Sequence, residues 1–296
     1  MKKPRSLKKS VLAALAILPL AALLAGCAGA AGDEDVVKIG VVDESEPYWG
    51  VFKEAAADAG ITVDLVNFAT YAQPNPALTA GEIDLNQFQT IVYLANYNVA
   101  SSQDLAAIGA TAIYPLGLYS TQYTSVEEIQ KGDTVAVPND ESNMARALVV
   151  LQSAGLIELT DGGTISSSLD DIDTAASRVK VTALDASLTT ASLPDVAAAI
   201  VNNEFVGKAG LSFSDAIAQD DPADAKSVPY ANVFAARAED KDNATYKKLV
   251  EIYQTTKAVQ DGVREASGDT AVLLTTPVSE LEASRVMVEA DTKAQK

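Results

Sequence analysis

The sequence contains no histidine and a single cysteine, and each scarcity excludes a class of site. Without histidine, neither a Ser-His-Asp triad nor a Cys-His pair can form, and the commonest transition-metal ligand is missing. With Cys27 as its one thiol, the chain cannot form an internal disulfide. We therefore expect no catalytic residues of these kinds, no metal site and no cofactor.

Basic residues are also scarce, since 22 lysines and arginines stand against 40 acidic residues and give a net charge of −18. Five of the basic residues lie within the first ten positions, so the rest of the chain is more acidic than the total suggests. This excess of negative charge argues against nucleic acid as a partner. It suits a protein exposed to solvent, but it says little about the fold.

The amino terminus has the pattern of an export signal. Basic residues precede an apolar run at residues 11–24, which is shorter than the roughly 20 residues that a membrane-spanning helix needs. This pattern is typical of a secretory signal peptide. The run ends in LAGC at residues 24–27, which resembles the bacterial lipoprotein box. That resemblance implies cleavage before Cys27 and a diacylglyceryl group on its sulfur; the alternative is an ordinary signal peptide with an incidental cysteine.

We expect residues 1–26 to form a lipoprotein signal peptide. Residues 27–35 are expected to be a flexible tether, because they contain no core-forming side chains. The folded protein then begins near Val36. It is expected to lie outside the cytoplasm, anchored to the lipid bilayer of the cell membrane through acylated Cys27.

Strand and helix signals alternate along the body of the chain. Residues 36–42 and 61–68 indicate strands, and the helix predicted between them at residues 47–59 ends at Gly60. This βαβ spacing predicts a parallel sheet, and its continuation predicts an α/β fold. Such folds bind ligands at the carboxyl ends of strands. An exported α/β protein without histidine is expected to be a two-lobed, hinged receptor rather than an enzyme.

The stretch at residues 134–157 contains the clearest candidate for a ligand-binding side chain. Residues 135–137 predict a buried strand, and Asp140 or Ser142 is placed to cap the helix that follows. Arg146 lies in the first or second turn of that helix, where the dipole favours acids. Its guanidinium is expected to point back toward the helix N-terminus and form a carboxylate trap with free N–H groups. The alternative is a solvated surface arginine.

Five stretches occur in an order and spacing that support a family assignment: ALTAGEIDLNQFQTIVYL, GATAIYPLGLYS, VAVPNDESNMARALVVLQSAGLI, AAAIVNNEF and VPYANVFAARAED. Together they resemble the methionine-binding lipoproteins of ABC importers. The resemblance implies a type 2 periplasmic-binding-protein fold of two α/β lobes joined by a two-segment hinge. It also implies that the chain has no catalytic residues and delivers an amino acid, usually L-methionine, to an ABC transporter permease.

Carried over by position, the resemblance implies that Tyr71, Phe88 and Tyr93 enclose the thioether side chain, because aromatic rings favour sulfur contacts. Without the family, these rings are explained more simply as core. Thr90 stands where the family usually has histidine, so this corner of the pocket is expected to be less polar. Asn86, in the same motif, is expected to be a turn or loop residue.

The resemblance also assigns polar contacts to the ligand. Arg146 matches the arginine that grips the α-carboxylate, and Asn202 matches an asparagine that holds the α-amino or carboxylate group. Asn143 matches an asparagine in the same loop as the arginine.

The same resemblance divides the chain into lobes. Lobe one is expected to comprise residues 36–118 and 231–296, and lobe two residues 119–230. The two crossovers of the hinge are expected near residues 118–120 and 229–231.

Other ligands and another class of function stay open at this point. The same fold binds other small anions, such as sulfonates or phosphonates, and a related amino acid, a methionine derivative or a short peptide also fits the departures from the family pattern. An enzyme would need a carboxylate dyad, for which Asp43 and Glu46 are candidates. These two acids are explained more simply as a solvated loop.

Replacing Cys27 with alanine should release the folded protein from the membrane, because only acyl chains on its sulfur are expected to hold it there. The measurement is the distribution of the protein between membrane and soluble fractions after a high-salt wash. A Cys27→Ala variant that stays with the membrane would contradict the lipoprotein prediction.

Overall fold

Short apolar strands alternate with helices through residues 36–294, the part of the chain that this computed structural model describes. The predicted signal peptide, the tether and Cys27 lie outside the described residues. The strands in this range are β1 (Val37–Val41), β2 (Val63–Asn67), β3 (Leu85–Thr90), β4 (Ala106–Ala110), β5 (Ala112–Ile113), β6 (Gly117–Tyr119), β7 (Thr134–Pro138), β8 (Lys180–Leu184), β9 (Ala198–Val201), β10 (Ala218–Gln219), β11 (Asn232–Ala236) and β12 (Val272–Leu273). The α-helices in the same range are α1 (Pro47–Asp58), α2 (Pro74–Thr79), α3 (Ile91–Ser101), α4 (Glu141–Ser153), α5 (Asn203–Val206), α6 (Ala244–Thr255), α7 (Lys257–Ala266) and α8 (Val278–Ala294).

The strands form two five-stranded sheets and a two-stranded ribbon of β5 and β12. The strand order is β2-β1-β3-β11-β4 in the first sheet and β10-β6-β9-β7-β8 in the second. Each sheet buries its own hydrophobic cluster beneath helices, α1, α6 and α7 in the first case and α4 in the second. This arrangement confirms the predicted α/β fold with two lobes.

Both large sheets are mixed, which corrects the prediction of parallel sheets. β1 runs parallel to β2 and β3, and β7 runs parallel to β8 and β9, as the βαβ spacing predicts. In contrast, β11 is antiparallel to β3 and β4, and β6 is antiparallel to β9. The chain enters β6 and β11 from the segments that pass between the sheets. Parallel pairing needs a crossover connection, usually a helix, that brings the chain back to the starting edge of the sheet. β6 and β11 do not follow such a helix, so each pairs antiparallel with its neighbours.

The second sheet begins earlier in the chain than the predicted lobe boundary. β6 pairs with β9 of that sheet, with Leu118 opposite Ile200, so a boundary at residue 118 falls inside a strand. We therefore propose that the first crossover lies at residues 114–116, between β5 and β6. We propose that the second crossover lies between β10 and β11, at residues 220–231, a range that contains the position predicted near residues 229–231.

The predicted strand, turn and helix at residues 134–157 are confirmed. β7 ends at Pro138 and α4 begins at Glu141. Asp140, rather than Ser142, is the N-cap, since its side chain accepts a hydrogen bond from the backbone N–H of Asn143 at 2.9 Å. Leu148 of α4 is fully buried in the second core. The first turn of α4 is thereby held at the edge of the sheet where β7 ends.

An aromatic cluster fixes α1 and α6 against the first sheet. Trp49 and Phe52 of α1 are 1% and 0% exposed, and their rings meet at 5.7 Å in an edge-to-face arrangement. Tyr253 of α6 contacts Phe52 at 5.8 Å and Phe234 of β11 at 5.3 Å. Edge-to-face pairs of this kind add to the stabilisation from apolar burial.

Gly109 of β4 should not tolerate a side chain, because a Cβ there would lie 2.2 Å from Cγ1 of Val250 on α6. We expect Gly109→Ala to lower the free energy of unfolding by about 1–3 kcal/mol, the usual cost of overpacking a core. Urea unfolding measures this. Gly50→Ala in α1 is the matched control, since its Cβ would meet nothing within 4 Å and alanine favours a helix. Equal stabilities for the Gly109→Ala variant and the wild type would show that the strand and helix are less closely packed.

Candidate functional site

A cavity between the two sheets is lined by all the residues that the sequence analysis proposed as ligand contacts: Tyr71, Phe88, Tyr93, Asn143, Arg146 and Asn202. The aromatic residues come from the side of the first sheet, and the polar residues come from α4 and the end of β9. Thr90 at the end of β3 and Asn202 just after β9 also line it. The cavity therefore lies at the carboxyl ends of strands, as expected for an α/β fold.

The rings of Tyr71, Phe88 and Tyr93 form the apolar wall of the cavity. The Phe88 ring lies 5.8 Å from that of Tyr71 and 5.5 Å from that of Tyr93. Phe205, from the second lobe, packs against the Tyr71 ring at 5.5 Å but does not line the cavity. Thr90, in the position of the family's histidine, caps α3 by accepting a hydrogen bond from the N–H of Tyr93. The Thr90 hydroxyl oxygen therefore accepts a backbone hydrogen bond. Beside Thr90, the ligand would meet mainly the aromatic rings.

Arg146 is buried, with 6% of its surface exposed, and its guanidinium is already paired within the chain. Nε donates to Oδ2 of Asp220 at 2.5 Å, and Nη2 donates to Oδ1 of Asp220 at 3.0 Å and to the carbonyl of Tyr114 at 2.8 Å. The guanidinium also lies 4.6 Å from the centre of the Tyr230 ring. Arg146 is therefore not a solvated surface residue. Its hydrogen bonds run to Asp220 and Tyr114 rather than to the N-terminus of α4, which corrects the expected direction of the side chain. Its role in binding a carboxylate stays a prediction.

The reason for this pairing is the cost of burying a charge. A guanidinium without a partner is expensive to bury, whereas the bidentate Asp220 carboxylate meets its Nε and Nη2 edge. Asp220 is held in turn by the N–H of Leu116, which donates to Oδ1 at 2.8 Å. Within residues 36–294, Nη1 of Arg146 has no hydrogen-bond partner. One edge of the guanidinium therefore stays available to a ligand in the cavity.

Asp220 was missed by sequence reasoning. It stands in an acidic stretch before Asp221 and Pro222, where the surroundings in sequence indicate a solvated turn. Its partner, Arg146, lies on α4, 74 residues away in the chain. The spacing of the two residues in the sequence therefore does not predict that they pair.

Hydrogen bonds that run from Asp140 through Asn143 fix which atom of Asn202 is left unpaired. The Asp140 carboxylate accepts hydrogen bonds from Nδ2 of Asn143 at 3.0 and 3.1 Å. Asn143 therefore turns its oxygen toward Asn202, whose Nδ2 donates to it at 2.9 Å. Oδ1 of Asn202 is left as a buried acceptor without a partner among the described residues. Because a carboxylate can only accept hydrogen bonds, the order of donors along this chain is set from the Asp140 end.

Amide side chains form a buried ring beneath the first-lobe side of the cavity. Nδ2 of Asn75 donates to Gln89 at 2.7 Å, and Nε2 of Gln89 donates to the oxygens of Asn75 and Asn86, each at 2.7 Å. Asn86 lies in β3 and is fully buried, so the prediction that it is a turn or loop residue is wrong. A complete set of bonds allows such polar groups to be buried, and here it supports Gln89, which lines the cavity.

Glu204 is an acidic residue of the cavity that sequence reasoning also missed. Its Oε2 accepts a hydrogen bond from the hydroxyl of Tyr71 at 2.8 Å, which joins the two lobes. Burial raises the pKa of the Glu204 carboxyl above its usual range. The available signal was weak, since Glu204 follows Asn202 by two positions at the end of a strand.

In residues 36–294, no helix is long and apolar enough to cross a membrane. In that same range, acidic, histidine and cysteine side chains form no group able to hold a metal ion.

Comparisons with known proteins agree on one family. The family model for NlpA lipoprotein matches residues 37–273. The D-methionine-binding lipoprotein MetQ of Escherichia coli (strain K12) is 36% identical over 237 residues, which cover 78% of this chain and 86% of that protein.

Solved structures give the same result for the fold. The substrate-binding protein of a methionine transporter from Streptococcus pneumoniae matches with a TM-score of 0.75 and 36% identity, covering 81% of this chain and 95% of that one. A nutrient-binding protein from Burkholderia cenocepacia bound to methionine matches with a TM-score of 0.74 and 34% identity, covering 80% and 99%.

Removing either partner of the Arg146–Asp220 pair should destabilise the fold. We expect Arg146→Met and Asp220→Asn each to lower the free energy of unfolding by about 2 kcal/mol, below the usual cost for a fully buried pair because Asp220 is partly exposed. The double variant should lose less than the sum, since neither group is then left unpaired. Denaturant unfolding of all four proteins measures this.

An exposed pair provides the control for that cycle. Lys257 and Asp261 are 85% and 50% exposed, so Asp261→Asn should change stability by less than about 0.5 kcal/mol. Single variants of the buried pair that are no less stable than Asp261→Asn would show that Arg146 does not depend on Asp220.

Proposed function

The chain belongs to the NlpA lipoprotein family, and from this we propose that it is a membrane-anchored substrate-binding lipoprotein of an ABC importer. It captures methionine or a closely related amino acid in the cleft between its lobes and delivers it to the permease. One observation carries the proposal: a single cavity combines a free guanidinium edge, a free amide oxygen and an aromatic wall. These are the three surfaces that the carboxylate, the ammonium group and the apolar side chain of an amino acid require.

Arg146 is proposed to bind the α-carboxylate through Nη1. Asp220 holds the Nε and Nη2 side of the guanidinium, so the direction of the remaining N–H groups is fixed before the ligand arrives. A charge-assisted bond from a pre-oriented donor is stronger than one from a mobile side chain. In the lining of this cavity, which belongs wholly to the described residues, Arg146 is the one basic residue.

Asn202 is proposed to bind the α-ammonium group rather than the carboxylate. Its Nδ2 is used by Asn143, and the atom left over is an acceptor, Oδ1. Asn202 is 9% exposed, so an unpartnered oxygen there has lost its water and gains from a charged donor. The family resemblance left open whether Asn202 binds the α-amino or the carboxylate group, and we propose the α-amino group.

The aromatic wall is proposed to hold the thioether. Tyr71, Phe88 and Tyr93 present ring faces and edges, and sulfur makes favourable contacts with both. The contribution of each contact is small, so the wall selects for shape and apolar character. A sulfonate or phosphonate fits this cavity less well, because beyond Arg146 its lining supplies a carboxylate, Glu204, rather than a second cation.

Closure of the lobes is proposed to accompany binding, with the hinge in the crossovers at residues 114–116 and 220–231. Polar contacts between described residues bridge the lobes, and one of them, Tyr71–Glu204, lies in the cavity itself. Lys208 joins Asp43 at 3.2 Å and the carbonyl of Val42 at 3.3 Å, and Asn96 joins Ser142 at 3.4 Å. Outside the cytoplasm, acylated Cys27 would keep this receptor beside its permease.

We propose no catalytic activity. Asp43, one of the two acids considered for a hydrolytic dyad, forms an ion pair with Lys208 and accepts hydrogen bonds from Ser45. These contacts explain it as part of a structured loop.

The proposal predicts that methionine is recognised through both of its α-groups. Calorimetry should detect binding of L-methionine or D-methionine, whereas 4-(methylthio)butanoate, which lacks the ammonium group, should bind about a hundredfold more weakly. Norleucine, which keeps both α-groups and lacks sulfur, is the control ligand and should bind within about tenfold of methionine. Asn202→Leu should reduce the penalty for losing the ammonium group.

Two results would overturn this function. One is the absence of binding by either enantiomer of methionine, together with a different small molecule released from the purified protein on denaturation. The other is equal binding of methionine and 4-(methylthio)butanoate, because the Asn202 oxygen would then have no part in recognition.

A further inference from the structure

A second cavity adjoins the proposed methionine site. The two cavities share the lining residues Phe88, Tyr114, Asn203 and Glu204. The second one continues between the loop after β1, the first turn of α1 and the start of α5. Glu204 thus stands on the common wall, at the end of the site that is lined by the aromatic rings.

The second cavity contains hydrogen-bond acceptors in excess of donors. Besides Glu204, the carboxyl groups of Asp43 and Glu46 line it, and no lysine or arginine is among its lining residues, all of which are described. Lys208 approaches from outside, with 43% of its side chain exposed, and its Nζ contacts Asp43 and the carbonyl of Val42. Lys208, which is partly solvated, is therefore the one cation found in the described chain beside the three carboxyl groups of Asp43, Glu46 and Glu204.

Two buried amide oxygens beside these cavities lack a hydrogen-bond donor among the described residues. Oδ1 of Asn203 is buried and has no hydrogen-bond partner in the described chain, and Asn203 lines both cavities. Oδ1 of Asn202, in a side chain 9% exposed, is the other. If Asn202 receives the α-ammonium group, Asn203 and Glu204 remain for a different donor, farther along the ligand.

We propose that the cleft accepts methionine-like α-amino acids whose side chain carries a positive charge near its end, with Glu204 as the residue that selects them. This inference rests on the proposed function, because the α-groups must be held by Arg146 and Asn202. The charge lies between the aromatic wall and Glu204. There it meets a carboxylate on one side and ring faces on the other, and both attract cations.

The charge balance of the site favours such a ligand over a neutral one. A carboxylate taken out of water needs a compensating charge or several donors, and for Glu204 the hydroxyl of Tyr71 is the one side-chain donor identified. Burial, followed by the neighbouring Asp43, raises the pKa of Glu46 as well. A cationic ligand supplies a compensating charge, whereas a thioether does not.

S-methylmethionine is the most direct probe, because it adds one methyl group and one positive charge to the sulfur of methionine. We expect wild-type protein to bind it about tenfold more tightly than methionine. In Glu204→Gln, the ratio of the two dissociation constants should reverse in favour of methionine. Glu44→Gln is the matched control, since Glu44 is exposed in the same loop as Asp43 and lines neither cavity; its ratio should equal that of the wild type.

The outcomes separate this inference from the proposed function. If methionine binds to the wild type and S-methylmethionine binds more weakly, the inference is wrong and the function stands. If neither amino acid binds, both are wrong. The wild-type comparison needs no variant, and Glu46→Gln gives a second variant should Glu204→Gln fail to fold: a partial loss of preference supports the inference, and an unchanged preference in every folded variant of these acids overturns it.

Discussion

The buried ion pair between Arg146 and Asp220 is the interaction on which the hinge and the ligand cleft both depend. A guanidinium that is 6% exposed must be paired, and Asp220 meets it with both carboxylate oxygens. The carbonyl of Tyr114 takes a further N–H, so one side chain of α4 is bonded to both segments that pass between the lobes. The same bonds set the plane of the guanidinium and leave Nη1 without a hydrogen-bond partner among the described residues. We therefore propose that stability and recognition are coupled at this residue.

Elsewhere in the cleft, hydrogen bonds determine whether a neutral amide side chain is left with a donor or an acceptor for the ligand. Asp140 can only accept hydrogen bonds, so Asn143 presents its oxygen to Asn202, and Asn202 is left with an acceptor. An ammonium group is thereby favoured next to a guanidinium that favours a carboxylate. We propose that a chain with a large acidic excess recognises a zwitterion in this way, with a single basic residue in the lining of the cavity. The cavity's own acidic residue, Glu204, is then available to discriminate between side chains.

Local signals explain how much of this could be predicted from sequence. The βαβ spacing, the cap of α4 at Asp140 or Ser142 and the buried run of β7 depend on neighbours in the chain; the spacing and the run were predicted correctly, and the structure selects Asp140 as the cap. The family motifs added the six cavity residues, which the fold brings together. What failed depends on contacts between distant segments. Asp220 has the sequence context of a solvated turn, Asn86 is buried by an amide ring that no spacing reveals, and the direction of β11 follows from where the chain re-enters the first sheet.

A crystal structure of the protein with bound L-methionine tests the central claim most directly. The account predicts that the ligand carboxylate accepts from Nη1 of Arg146 while Nε and Nη2 remain bonded to Asp220, and that the ammonium group lies on Oδ1 of Asn202. A carboxylate that displaces Asp220 from Arg146, or that lies away from the guanidinium, would contradict it.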